Sequence, residues 1–246
     1  MLTTINIEGF GPYVCGRKKS IIAPNLPRFA AAPTLFALGT SDVNSIREAA
    51  KSMHPIYAAI GNMLGNDKYG CCAPVAGVKI DAIFDCAAGR AWRMPTLADV
   101  LWLYSQVSDP PFNPATGAND NGCDLGTVLS FWQGHGLYED GHGKIKACQA
   151  VDATNKAEVI AALNANGVLY AGCDLPSAIE NITGSGFTWG MLGAPNPNLG
   201  HCTLIYGHNE TGVFVSTWGM EGTITWQALA YYFGGKTGEL YTVVAD

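Results

Sequence analysis

The order in which two hydrophobic periodicities follow one another constrains the fold of this chain more than any other feature. Between residues 42 and 164, apolar side chains recur at helical spacing in several segments. In the last third they gather into short β-branched and aromatic runs. Residues 42–60, "DVNSIREAAKSMHPIYAAI", carry Val43, Ile46, Ala50 and Met53 at helical intervals, with Pro55 marking a break. Residues 72–88 are rich in Ala, Val and Ile, and Pro74 falls in a first turn, where its missing N–H costs little. Thr96 and Asp99 form a capping pattern for a helix over 96–107, and shorter helices are expected at 127–133 and 156–164, the latter closed by Gly167 and followed by the strand-like "VLYAGC". The runs "HCTLIYGH", "GVFVSTW" and "GELYTVVA", separated by Gly and Asn, predict antiparallel strands. Helices first and strands later predict an α+β class, with a helical lobe at about 61–150 and a β-rich lobe at about 151–246. Residues 1–40, with Pro24, Pro27 and Pro33 and no sustained period, predict an irregular arm packed on the surface, so that 1–60 forms an arm and helix ahead of the main domain.

Charge and cysteine usage exclude several functions. The formal net charge is −6 and the 14 Lys and Arg are scattered, except for Arg17, Lys18 and Lys19. Nucleic-acid affinity rests on clustered positive charge, so no nucleic-acid partner is expected. No apolar stretch approaches the roughly 18 to 20 residues of a membrane helix, and no basic segment precedes an apolar signal core. A cytoplasmic location without membrane association follows as the expectation, and the resemblance given below adds a virion as the other location. The eight cysteines lack the dense spacing of a disulfide scaffold and read as reduced thiols. There is no CxxC, and His135 and His142 lie seven apart in a Gly-rich stretch, so neither metal nor cofactor is expected.

One short stretch carries chemistry. In "LGNDKYGCCAPVA", Cys72 stands where the helix begins, among free backbone N–H groups and at the positive end of the dipole, both of which favour thiolate. Cys71 lies on the loop side. Asp67 is placed to cap this helix. A thiol nucleophile needs a base, and His201, opening the first strand of the β-rich region, stands where two lobes would meet. The long loop "SDPPFNPATGANDNGCDLG" is a candidate binding rim, because long loops in compact domains are uncommon unless functional.

With these residues in order, the chain resembles the papain-like cysteine peptidases over roughly residues 60–246, and within them a branch met in bacteriophage and bacterial proteins with a "GND-x-x-G-D-C" nucleophile motif. Asn66 lies six positions before Cys72, where the family carries its oxyanion-hole amide. "MPTLADVLWLYSQVS" is similar to the helix after the catalytic helix, and "NGCDLGTVLSFWQGHGL" to the family's substrate loop, with Gly126 at a glycine whose backbone contacts bound peptide. "HCTLIYG" matches the histidine strand, with Gly207 six residues after His201, and "VSTWG" resembles the Asn-Ser-Trp-Gly stretch that orients the histidine and covers it with a tryptophan. The resemblance implies a two-lobe papain-like fold, Cys72 as nucleophile, His201 as base, Asn66 in the oxyanion hole, Ser216 orienting His201, and Trp218 with Gly126 lining the substrate site.

The sequence departs from the family at three points. Cys71 replaces an aspartate, Asn66 is one methylene shorter than the usual glutamine, and Ser216 stands at the orienting asparagine; Asn209, eight residues beyond His201, is the other nearby amide. The leading expectation is a cofactor-free thiol hydrolase or acyl transferase acting on an amide, peptide or isopeptide bond, with a peptide or protein as partner. The rival is a catalytically silent papain-like scaffold serving as a binding or phage virion protein, for which self-association or virion assembly supplies the partner. No inhibitory pro-segment is recognisable in residues 1–60, whose irregularity leaves room for a built-in plug of the cleft.

Overall fold

The computed structural model describes residues 2–7, 11–20, 60–182 and 184–246. The helix expected over 42–60 lies outside them, apart from Ile60. In chain order the elements are β1 (Thr3–Ile7), β2 (Gly11–Cys15), β3 (Arg17–Lys18), α1 (Cys72–Ala87), α2 (Leu97–Val107), β4 (Cys123–Asp124), α3 (Leu125–Gly134), β5 (Ile145–Ala150), α4 (Lys156–Asn166), β6 (Leu169–Pro176), β7 (Phe187–Trp189), β8 (Pro195–His208), β9 (Gly212–Thr217), β10 (Met220–Thr225), α5 (Trp226–Tyr232) and β11 (Gly238–Ala245). A seven-stranded sheet of order β5-β11-β6-β8-β9-β10-β7 organises them, and every neighbouring pair is antiparallel except β10 and β7.

Both faces of the middle of this sheet are covered, which explains why β6, β9 and β8 from Leu199 onward are buried at nearly every position. Alternate side chains point to opposite faces. Leu204 and Tyr206 therefore join the core under α1, α2 and α3, with Val78, Leu103, Val128 and Trp132. Ile205, Val213 and Val215 join a second core with α4, α5 and the β1–β2 hairpin. Local signals fix the helix ends. Thr96 and Asp99 form a reciprocal capping box on α2, Asp124 accepts from the Thr127 N–H, and Gly167 closes α4 in a left-handed conformation at φ 77°. The Asp124 cap starts α3 two residues before the expected 127, and β8 begins six residues before His201.

Residues 3–7 and 11–18 correct the expectation of an irregular surface arm. In "TTINI" the side chains of Ile5 and Ile7 point inward, and with Tyr13 and Cys15 they are buried in the second core. The alternation spans only five residues, too short to stand out from the irregular sequence around it. β5, β7, β10 and α5 were also not anticipated; β5 is an edge strand with weak alternation, held by its pairing with β11. Among the described residues no helix is long and apolar enough to cross a membrane.

Candidate active site

The loop before α1 is fastened to the loop before α3 through one carboxylate. Asp120 accepts from the Gly70 N–H at 2.9 Å and from the Tyr104 hydroxyl at 2.8 Å, and that hydroxyl accepts in turn from the Gly122 N–H at 2.7 Å. Cys72 is the first residue of α1 and Cys71 its N-cap, without any side-chain cap; Asp67 does not take that role. The open first turn leaves its N–H groups for whatever lies at Cys72.

What lies there is the chain's own residues 16–18. The Gly16 carbonyl accepts from the Cys123 N–H at 3.0 Å, and β3 pairs in parallel with β4, Arg17 beside Cys123 and Lys18 beside Asp124. The strand is wedged so tightly that a Cβ on Gly122 would collide with the Gly16 carbonyl, and one on Gly200 with the Arg17 carbonyl. Farther along, the Gly126 N–H donates to the Ser20 hydroxyl at 2.8 Å and Lys18 donates to the Asp109 carbonyl at 3.1 Å. The nucleophile loop, the loop before α3 and the histidine strand thus all close on one segment.

Arg17 fixes that segment. Its guanidinium is buried and donates to Glu239 Oε1 from Nε at 2.9 Å and from Nη2 at 2.7 Å, to Asp174 Oδ1 at 3.1 Å, and to the Thr237 carbonyl at 3.4 Å. Gly172 floors this seat, because a Cβ there would stand 2.7 Å from Arg17 Nε. The charge pairs are largely withdrawn from water, so removal of either side would strand the other.

The filled cleft sets the protonation of the catalytic candidates. Burial pushes the Cys72 thiol up, while the backbone N–H groups of Cys202, Gly16 and Ala73 and the charge of Arg17 pull it down only in part. His201 is 2% exposed, and burial, then Lys79, then Arg17 push it down to about 3. Thiol and imidazole are therefore both neutral here, contrary to the thiolate expected from the helix terminus alone. Desolvation outweighs the dipole because no water reaches the sulfur.

His201 is held on two sides. Its Nε2 lies 2.6 Å from the Thr217 hydroxyl, its ring stacks on Trp218 with centroids 4.1 Å apart, and Trp218 stacks on Tyr13 at 5.3 Å. Its Nδ1 is buried with no hydrogen-bond partner. Ser216 does not orient it. The Ser216 hydroxyl donates to the Ile60 carbonyl at 2.8 Å, the same oxygen that accepts from Lys79 Nζ at 2.7 Å. Neighbours on a strand face opposite ways, so only one of Ser216 and Thr217 can reach the imidazole, and it is Thr217. Asn209 is spent on a turn, accepting from the Thr211 and Gly212 N–H groups.

The N–H of Cys202, the residue after His201, points at the Cys72 sulfur, so the backbone of the histidine strand passes the thiol, while His201 Nδ1 makes no hydrogen bond to it. Asn66 is buried in the nucleophile loop with its Oδ1 unpartnered, and Gly126 faces the segment through its N–H. Trp218 is a buried cover on His201, with no exposed face for substrate. His135 stacks on Phe131 and Trp102, away from the thiol. Sequence reasoning missed Thr217 and the Arg17 seat. The basic run at 17–19 was the one available signal for the seat, but its acidic partners lie 157 and 222 residues away.

No protein-family profile and no curated protein sequence matches the chain. Solved structures do. Xylellain, a cysteine protease from Xylella fastidiosa, aligns with a TM-score of 0.62 at 10% identity over 100% of this chain and 99% of its own. ProCathepsin B S9 from Trypanosoma congolense aligns at 0.59 and 9% identity over 94% of this chain and 86% of its own, and digestive procathepsin L 3 of Tenebrio molitor larval midgut at 0.51 and 10% over 72% and 64%. At such identities the likeness is one of fold, and this chain has the two-lobe papain-like fold, a helical region packed on a mostly antiparallel sheet.

Proposed function

We propose that the chain is a thiol hydrolase or acyl transferase acting on an amide, peptide or isopeptide bond, here in a self-occupied form. The observation that carries this reading is the placement of Cys72 at an uncapped helix start, under the N–H groups of Ala73 and Cys202, the latter on the strand that bears His201, whose Nε2 meets Thr217 and whose Nδ1 has no hydrogen-bond partner. When residues 16–18 leave, water enters, the thiol and imidazole titrate normally, and His201 Nδ1 takes the Cys72 proton. The thiolate attacks the carbonyl carbon, and the Cys72 N–H with the Asn66 amide holds the oxyanion. The imidazolium then protonates the leaving amine, and water or a second amine releases the acyl group from sulfur. Thr217 keeps the imidazole oriented, the part a third triad member plays.

Residues 16–18 occupy the place of a substrate, and the Asp174 and Glu239 seat gives that place an affinity for a basic side chain. The test is iodoacetamide labelling mapped by mass spectrometry, in the parent protein and in a variant that frees the cleft, followed by hydrolysis of a panel of acyl-aminocoumarin and ubiquitin-like substrates with Cys72→Ala as control. Preferential labelling of Cys72 in the freed protein supports the enzyme. Uniform slow labelling of all eight thiols in both proteins overturns it and leaves the silent scaffold, whether binding module or phage virion component.

A further inference from the structure

The far end of α1 carries a second cluster, about 14 Å along the helix axis from Cys72. Asp81 and Asp85 are four residues apart, hence on one helical face, and both are buried, at 4% and 2% exposure. Like charges at this spacing repel, and an ionised carboxylate out of water needs a partner. Asp85 is half provided for, since its Oδ1 accepts from Arg90 Nε at 2.8 Å. Its Oδ2 stands 3.2 Å from His142 Nε2. Asp81 Oδ2 has no hydrogen-bond partner and stands 3.9 Å from the same nitrogen. Gly143 lets the chain pass directly over Asp81: a Cβ there would lie 2.7 Å from the carboxylate, and φ is 70°. These groups wall a cavity of about 320 Å³ shared with Arg90, Lys144 and Asp246.

We propose that Asp81, Asp85 and His142 form a divalent-cation site of the Zn²⁺ or Mn²⁺ class. One atom from each, including the unpartnered Asp81 Oδ2, falls within 4.8 Å of the others. Donors around a tetrahedral ion at about 2.1 Å stand about 3.4 Å from one another, and the two distances from His142 Nε2, 3.2 and 3.9 Å, lie within about half an ångström of that spacing. One imidazole and two carboxylates suit zinc or manganese better than calcium, which takes six to eight oxygens. Arg90 and Lys144 oppose the ion and Asp246 favours it, so the affinity is moderate. The ion ties the 135–144 loop to the end of α1, a structural role independent of the thiol chemistry. Spacing rules for Cys and His missed the site because two of its ligands are carboxylates and the third lies 57 residues away.

The test uses the full chain after exhaustive chelation. Calorimetry with ZnCl₂ and electron paramagnetic resonance with MnCl₂ measure binding, manganese serving as the ion that buried thiols do not take. One saturable equivalent with a Kd in the micromolar range or tighter is expected, with a rise in Tm. Asp81→Asn and His142→Ala should each weaken binding at least about tenfold. Asp81→Asn should fold at least as well as the parent without metal, since it removes an unpartnered buried carboxylate. No saturable binding of either ion up to about 1 mM, or binding unchanged in both variants, overturns the site.

Discussion

Replacing Arg17 with alanine asks whether residues 16–18 are a removable occupant of the cleft or a fixed piece of its wall. In the closed form the guanidinium makes three hydrogen bonds to half-buried carboxylates and one to a carbonyl. Bonds to charged groups contribute about 1.5–3 kcal/mol each, but these four are not independent, because the loss of one guanidinium strands both Glu239 and Asp174. Deleting one side of a buried pair costs about 3–5 kcal/mol. The cost falls on the closed form alone, since in the open form Arg17 is hydrated and the two carboxylates face the emptied cleft. At the lower bound the opening equilibrium moves by about 150-fold. The assay is the rate of Cys72 alkylation by iodoacetamide at neutral pH, read peptide by peptide. Arg17→Ala should label Cys72 tens of times faster than the parent, up to that bound, with Cys148 unchanged. Unchanged Cys72 labelling in a protein with native circular dichroism would refute the removable plug. So would a parallel rise at every buried cysteine, which would mean that Arg17 holds the whole fold.

Gly200→Ala should act in the same direction without deleting a charge, since its methyl group would strike the Arg17 carbonyl; faster Cys72 labelling with the other buried cysteines unchanged is expected. Thr217→Val should lower the rate of Cys72 labelling or hydrolysis in the freed protein by about tenfold or more and alter its pH profile, whereas Ser216→Ala should leave that profile in place; the reverse result would return the orienting role to Ser216. His201 binds a proton near pH 3 in the closed form and near 6.5 when hydrated, so its contribution to stability is lost as pH falls from about 6.5 towards 3. Asp81, raised to about 6, has the opposite sign between about 6 and 3.8, so the diagnostic quantity is the difference in Tm between parent and His201→Phe, which should shrink on acidification. Lys79, lowered to about 7, favours the fold as pH rises from about 7 to 10.5, and Lys79→Met should flatten that limb of the Tm curve.

The sequence by itself determined what local chemistry can determine. The Thr96 and Asp99 box, Gly167 after α4, Pro74 in the first turn of α1 and the β-branched runs of β9 and β11 place their elements within a few residues, and the run in β8 places that strand's end, because caps and alternation act over four or five positions. The same reading found Cys72 at a helix start and His201 on a strand. Only the tertiary structure decided between Ser216 and Thr217, since a shift of one residue turns a strand side chain to the other face and nothing local sets which face meets the imidazole. Only the tertiary structure brought Arg17 to Asp174 and Glu239, and His142 to Asp81 and Asp85, because those pairings join chain segments tens to hundreds of residues apart. It also reversed the expected state of the thiol. The helix terminus that favours thiolate is a local property, whereas the burial that overrides it depends on a strand arriving from the N-terminal region, outside the reach of local signals.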